Sequence, residues 1–258
     1  MQRFLVASCV LIATTTCTLA ASGRQPAPPG AFEGAPPQYT QFSAAELSRG
    51  FLALAFGSDL RIGARPTGIR RFEHAISVHV TGSGAVDRRT AMSRVISDYA
   101  HSVPELHLSE TSAEPADIEL HLIDERDFQS ALQEAFGARI ARTFVARTDP
   151  QCMTSVKSTA DGQIVQSISF IIVDRGADVF LDCAYHELLH AFGLSNHDQH
   201  NPWTTLNQKR MVGYLTVYDR ALLTLLYDPR ISPGMTVRQA RGVLPEIIKA
   251  TGLAGVDR

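Results

Sequence analysis

The stretch that most constrains this chain is "CAYHELLHAFGLSNHD", residues 183–198. His186 and His190 stand four residues apart, in a run whose spacing predicts a helix from Val179 to Phe192. Residues four apart lie on one helical face, so both imidazoles aim at the same point. Gly193 then ends the helix as a left-handed cap would. The following "LSNHD" has to turn back over the two histidines if they are to share a ligand.

Two imidazoles presented this way are zinc ligands, and Glu187 beside them has the position of a general base. With nine histidines in the chain, a motif this short also arises by accident. The third donor therefore carries much of the weight. In the longer pattern His-Glu-x-x-His-x-x-Gly-x-x-His it would be residue 196. Residue 196 is Asn, and His197 arrives one position late, followed by Asp198. The stretch resembles the metzincin pattern with a slip of one residue, which a loop absorbs more easily than a helix. Imidazole binds zinc better than carboxylate, and carboxylate better than amide. The expected ligands of Zn2+ are accordingly His186, His190 and His197, with Asp198 second choice for the third place and Asn196 and His200 behind. His74, His101 and His107 lack ligand spacing. His79 and His121 alternate with apolar strand residues and are expected to face solvent.

The first residues place the protein. Arg3, an apolar run to Ile12 and small residues from Thr18 to Ser22 make a signal peptide over residues 1–21, cleaved near Ala20 or Ala21. The run falls short of the ~20 residues of a spanning helix, so no integral membrane span is expected after cleavage. Cys17 offers a lipid-anchor alternative, to which Thr16 before it is a poor fit. Export to the periplasm or the medium is expected. A net charge of -2 gives no basic field for nucleic acid. Of four cysteines, Cys152 and Cys183 survive cleavage. An even pair in an oxidising compartment is most simply a disulfide. Two zinc thiolates or a nucleophile are the alternatives, and both lack their local pattern.

Residues 22–41, with five prolines, read as an extended Pro/Gly-rich linker, and residues 42–258 as one domain. Ser43 and Glu46 form a capping box before an amphipathic helix. A strand is expected over Ala75–Val80, then a helix with Met92, Val95, Ile96 and Tyr99 on one side. "DIELHLID" is an alternating strand with Ile118, Leu120 and Leu122 on one face, and a short helix follows around Phe128–Phe136. Residues 152–174 read as a hairpin turning at Asp161-Gly162. After the motif helix, Thr216 with Asp219 and Thr236 with Gln239 cap two C-terminal helices. The fold class is α/β (α+β), a single domain whose mixed sheet carries the motif helix.

Several separate blocks resemble one exported bacterial family, domain of unknown function 2927. They are "FLALAFGSD", a cysteine before a "DGQIV" hairpin, a second cysteine before the motif helix, "GLSNHD", and "LTVYDRALLTLLYDPRISPGM". The resemblance implies a zincin-like (metzincin-like) fold. It also implies relatives with Glu-Glu-x-x-Gln at the motif, which lack the zinc ligands, and an aspartate where this chain has His197. It puts Leu206 at the place of the metzincin methionine turn. Tyr214 and Tyr218 are candidates to reach a substrate oxyanion, with core or surface roles at least as strong.

Two readings follow. One is a zinc-dependent metallopeptidase of the cell envelope, acting on a peptide or protein substrate laid against the hairpin strand "IVQSISFIIV". The other is a catalytically inactive binding or structural module of the same fold.

Overall fold

The structure, a computed structural model, describes residues 23–56, 67–148 and 151–253. The expected leader, with Cys17, lies outside the described residues. The remainder has the mixed α/β class expected of it. Two short strands, β1 (Arg24–Gln25) and β2 (Gln38–Tyr39), precede α1 (Ala44–Phe56). The main sheet comprises β3 (Ser77–Gly82), β4 (Ser109–Thr111), β5 (Ile118–Ile123), β6 (Cys152–Ser158) and β7 (Ile164–Ile172). Its order is β4-β3-β5-β7-β6, with β6 alone antiparallel to its neighbour. Helix α2 (Arg89–Ser102) crosses between β3 and β4. Helices α3 (Glu125–Phe136) and α4 (Ala138–Thr148) lie between β5 and β6. Helices α5 (Ala177–Ala191), α6 (Val217–Tyr227) and α7 (Val237–Thr251) complete the chain.

The sheet is covered on both faces, which is why β7 ends in the near-continuous apolar run "SFII" rather than strict alternation. Ile118, Leu120, Leu122 and Ile171 join the large core with Leu47, Phe51 and Leu54 of α1 and Met92, Val95 and Tyr99 of α2. Ile123, Phe170, Ile172 and Met153 point the other way, into a smaller cluster with Phe128, Leu132 and Phe144 of the α3–α4 pair. The turn at Asp161-Gly162 sets the β6–β7 register. Gly162 has φ +90°, and a Cβ there would lie 2.3 Å from the Ile69 carbonyl oxygen. Glycine alone allows both the turn and the backbone contact.

Four expectations change. Strand β7 is interior, paired with β5 and β6, so it offers no free edge; the edge strands are β4 and β6. His79 and His121 are not solvated, because parallel pairing puts them beside partners. His79 meets Glu119 at 3.2 Å, and His121 stacks on Phe170 with ring centroids 4.8 Å apart. The Pro-rich stretch is no extended tether over residues 23–41. Tyr39 stacks on Trp203 at 4.5 Å, and the Tyr214 hydroxyl donates to the Pro36 carbonyl at 2.7 Å. Its aromatic residues supply the apolar area that prolines and glycines lack. Finally, α4 and β4 add to the expected elements, α4 burying Ala141 and Phe144 in the smaller cluster.

Candidate metal centre

Helix α5 runs beneath the sheet and presents His186 and His190 one turn apart. It stops at Gly193, where φ is +118° and a Cβ would sit 2.1 Å from the Arg70 carbonyl oxygen. No other residue fits there without moving the backbone. The chain then turns back. The Ser195 and Asn196 amides both donate to the Leu54 carbonyl, at 2.9 and 3.1 Å, and the Asn196 side chain donates to Ala53 at 3.0 Å. Those bonds tie the loop to the end of α1 and bring His197 over the helix.

The three Nε2 atoms form a near-equilateral triangle. His186 to His197 is 3.0 Å, His190 to His186 is 3.1 Å, and His190 to His197 is 3.1 Å. The other ring nitrogens explain what the triangle is for. His186 Nδ1 lies 3.0 Å from the Thr205 carbonyl oxygen, and His190 Nδ1 lies 2.6 Å from that of Leu194. A carbonyl only accepts, so each Nδ1 carries the proton and each Nε2 a bare lone pair. Two such lone pairs 3.1 Å apart cannot hydrogen-bond to each other. They repel unless a cation lies between them.

A tetrahedral zinc with bonds of ~2.0–2.1 Å spaces its nitrogens by roughly 3.3–3.4 Å, close to the separations seen here. Burial holds the His186 ring down to about 4 and the His197 ring to about 3. It holds His190 well below the usual imidazole range, with the charges of its neighbours adding to the effect. All three are therefore neutral near pH 7, the form that binds metal. The donor set fits zinc.

Glu187 turns into the protein beside this centre and is 3% exposed. Its Oε2 is buried without a hydrogen-bond partner among the described residues. Burial pushes the carboxyl up to about 8, with the Thr154 hydroxyl opposing and Asp182 adding to the shift. A buried orphan carboxylate oxygen is an acceptor waiting for a donor. One turn before Glu187, Cys183 is bonded to Cys152, with Cα atoms 5.9 Å apart. The expected disulfide thus pins the edge strand β6 to the motif helix on the Glu187 side. Thr154, two residues along β6, bonds Ser169 at 2.6 Å and the Glu187 carbonyl at 3.2 Å.

The remaining expected residues fall elsewhere. Asp198 is turned away, its amide on the Leu206 carbonyl and its carboxylate accepting from the His200 amide at 3.1 Å. His200 is exposed, and Asn196 is spent on Ala53. Leu206 is fully buried. The Tyr214 and Tyr218 hydroxyls donate to the Pro36 and Glu46 carbonyls, so each has a structural partner.

Sequence reasoning missed the support around the histidines. The Thr205 amide donates to Asp219 at 2.9 Å and its hydroxyl at 3.2 Å, while the Thr216 hydroxyl reaches the same carboxylate oxygen at 2.8 Å. Thr204 donates to the other oxygen. The residues were visible only as the start of a helix; the same carboxylate also locks the loop that orients His186. Gln208, in left-handed backbone at φ 61°, brings its amide nitrogen within 3.0 Å of His197 Nε2. It carries no sequence signal.

The fold and site define a mixed α/β protein with a half-buried three-histidine centre, formed by a helix braced by a disulfide and the loop that follows it. It belongs to the family described as protein of unknown function (DUF2927), whose profile matches residues 44–246. A search of curated proteins gave no match.

Proposed function

We propose that the chain is a zinc-dependent metallopeptidase of the cell envelope, with a zincin-like (metzincin-like) arrangement of motif helix and edge strand. The observation that carries this is the triangle of Nε2 atoms, in which backbone carbonyls fix the tautomers of His186 and His190. His186, His190 and His197 would hold the ion. Zinc bound there would lower the pKa of a coordinated water and polarise a substrate carbonyl.

The chain's own residues then have distinct tasks. Glu187 Oε2, buried and without a partner, accepts the water proton as its oxygen adds to the peptide carbonyl carbon. It passes that proton to the amine nitrogen as the C–N bond breaks, so the carboxylate is regenerated. The raised affinity of Glu187 for a proton suits it to both steps, and the cation's charge would draw it back toward neutral pH. Of the two edge strands, β4 and β6, it is β6 that is tied to the motif helix by the disulfide, so β6 rather than β7 would take an extended substrate backbone. The Cys152–Cys183 bond is consistent with an exported protein, since such bonds persist in oxidising compartments.

The test combines metal content and turnover. Mature protein purified without added metal is expected to hold close to one zinc per chain, and Glu187→Gln to keep that zinc while losing peptide hydrolysis by orders of magnitude. One observation favours a second reading, a zinc-binding module without turnover: Glu187 is almost wholly buried. Stoichiometric zinc with no hydrolysis of a peptide library by the wild type would select it. Absence of zinc would sink both.

A further inference from the structure

Arg70 and Arg71 are adjacent and have opposite surroundings. Arg71 Nη1 donates to the carbonyls of Leu226, Asp228 and Ile231 at 2.8, 3.1 and 2.9 Å, and its guanidinium lies 4.8 Å from the centre of the Tyr227 ring. It is a structural clamp, fully used. Arg70 makes no hydrogen bond or ion pair among the described residues. Its Nε is buried without a partner. A donor shut away from water and left unpaired is costly. Burial lowers its hold on the proton, and no carboxylate among the described residues pairs with it.

Its position is the second observation. The Arg70 carbonyl packs under Gly193, the residue that turns the chain back toward the centre. The same residue lines an open cavity of about 640 Å³ with Thr67, Gly68, Thr159, Asp161 and Ser232. The cavity therefore lies near Gly193, where α5 ends and the chain turns toward His197, against the tip of the β6–β7 hairpin. Asp161 is the one acidic lining residue among the described residues, and that carboxylate accepts a short hydrogen bond from the Thr159 hydroxyl. One cation with one engaged carboxylate suits a singly charged anion better than a phosphate.

We propose that Arg70 and this cavity bind a carboxylate of the peptide held at the three-histidine centre, either its C-terminus or an acidic side chain. Arg pairs with carboxylate through two parallel N–H bonds, which would satisfy the donors the fold leaves open. The peptide nature of the ligand rests on the function proposed above. The carboxylate site itself needs no metal, and it can be tested without one.

The full mature chain, zinc-free, is titrated with three probes while the Arg70 side-chain Nε–H resonance is followed. That resonance is assigned by its loss in Arg70→Gln. The probes are acetyl-trialanine with a free C-terminus, its C-terminal amide, and acetyl-Ala-Glu-Ala amide. A carboxylate-bearing probe is expected to shift the resonance and to bind ~tenfold or more weakly to Arg70→Gln, with Arg70→Lys in between. Response to the first probe alone identifies the chain end, and response to the third identifies an acidic side chain. Binding of the neutral amide equal to its acid, equal binding by Arg70→Gln with an unchanged melting temperature, or no binding of any probe overturns the proposal. Zinc content, measured separately, decides the metal centre, so the two readings fail independently.

Discussion

The carbonyl oxygen of Thr205 lies 3.0 Å from Nδ1 of His186, and this contact puts the proton on Nδ1 and leaves Nε2 a bare lone pair facing His190 and His197. Thr205 is itself held through its amide and hydroxyl by Asp219, which is fully buried on α6. The tautomer of His186 therefore depends on a residue 33 positions away in sequence. Outer partners of this kind commonly change metal affinity by ~10–100-fold when removed.

Asp219→Asn tests that dependence. An amide keeps one acceptor oxygen where the carboxylate has two and carries no charge, so its hold on Thr204 and Thr205 weakens, and zinc affinity is expected to fall ~10–100-fold while His186, His190 and His197 remain. Competition with a chelating dye measures it. Unchanged affinity in a folded variant would show that Thr205 is held by other means.

The same residue gives a pH signature in the metal-free protein. Burial raises the Asp219 carboxyl from its ordinary 3.8 to about 6, against the hydrogen bonds that favour its charge. A raised carboxyl costs the folded state stability once ionised. The cost is absent below about pH 4, grows as pH rises, and is complete above pH 6–7, reaching ~3 kcal/mol. Urea unfolding should show the wild type's advantage over Asp219→Asn shrinking between pH 4 and 8. A constant or growing gap contradicts it.

The third ligand separates by substitution. His197→Ala is expected to lose stoichiometric zinc, and Asp198→Asn to retain it, because the Asp198 carboxylate is occupied by the His200 amide. Metal analysis after dialysis reads both. Zinc retained by His197→Ala and lost by Asp198→Asn would reverse the assignment.

Gly193→Ala should damage stability and site together. The residue combines φ +118° with a Cβ position 2.1 Å from the Arg70 carbonyl oxygen, so the cost is expected to be at least ~2–3 kcal/mol. The shift would displace His197 as well. A variant as stable as wild type with full zinc affinity would refute that coupling.

The disulfide closes a separation of 31 residues, for which chain entropy gives about 3–4 kcal/mol. Replacing both cysteines by serine should lower stability by that order. It should also loosen β6 from α5 beside Glu187, reducing turnover more than zinc content. Equal losses of both would place the effect on the fold as a whole.

Local chemistry in the sequence determined much of this protein. Capping residues Ser43, Thr216 and Thr236 start α1, α6 and α7, each through bonds to the backbone three residues on. Asp161-Gly162 turns the hairpin, and the 3.6-residue period shows the buried sides of α1 and α2. Spacing put His186 and His190 on one face, ligand chemistry ranked His197 above its neighbours, and the expected leader cleavage left two cysteines to pair. What tertiary structure decided is what lies between elements. No local period says that β7 is interior and β6 an edge, that His79 sits against Glu119, or that an apparent tether stacks Tyr39 on Trp203. These depend on which strand pairs with which, and pairing is a long-range choice. Arg70 and Arg71 are the plainest case: one residue type at consecutive positions, one saturated by carbonyls from the end of α6 and beyond, the other left beside Gly193 with open donors. A sequence records that both are cations. Only the packing of chain segments far apart in sequence determines which cation is already paired and which remains available to a ligand.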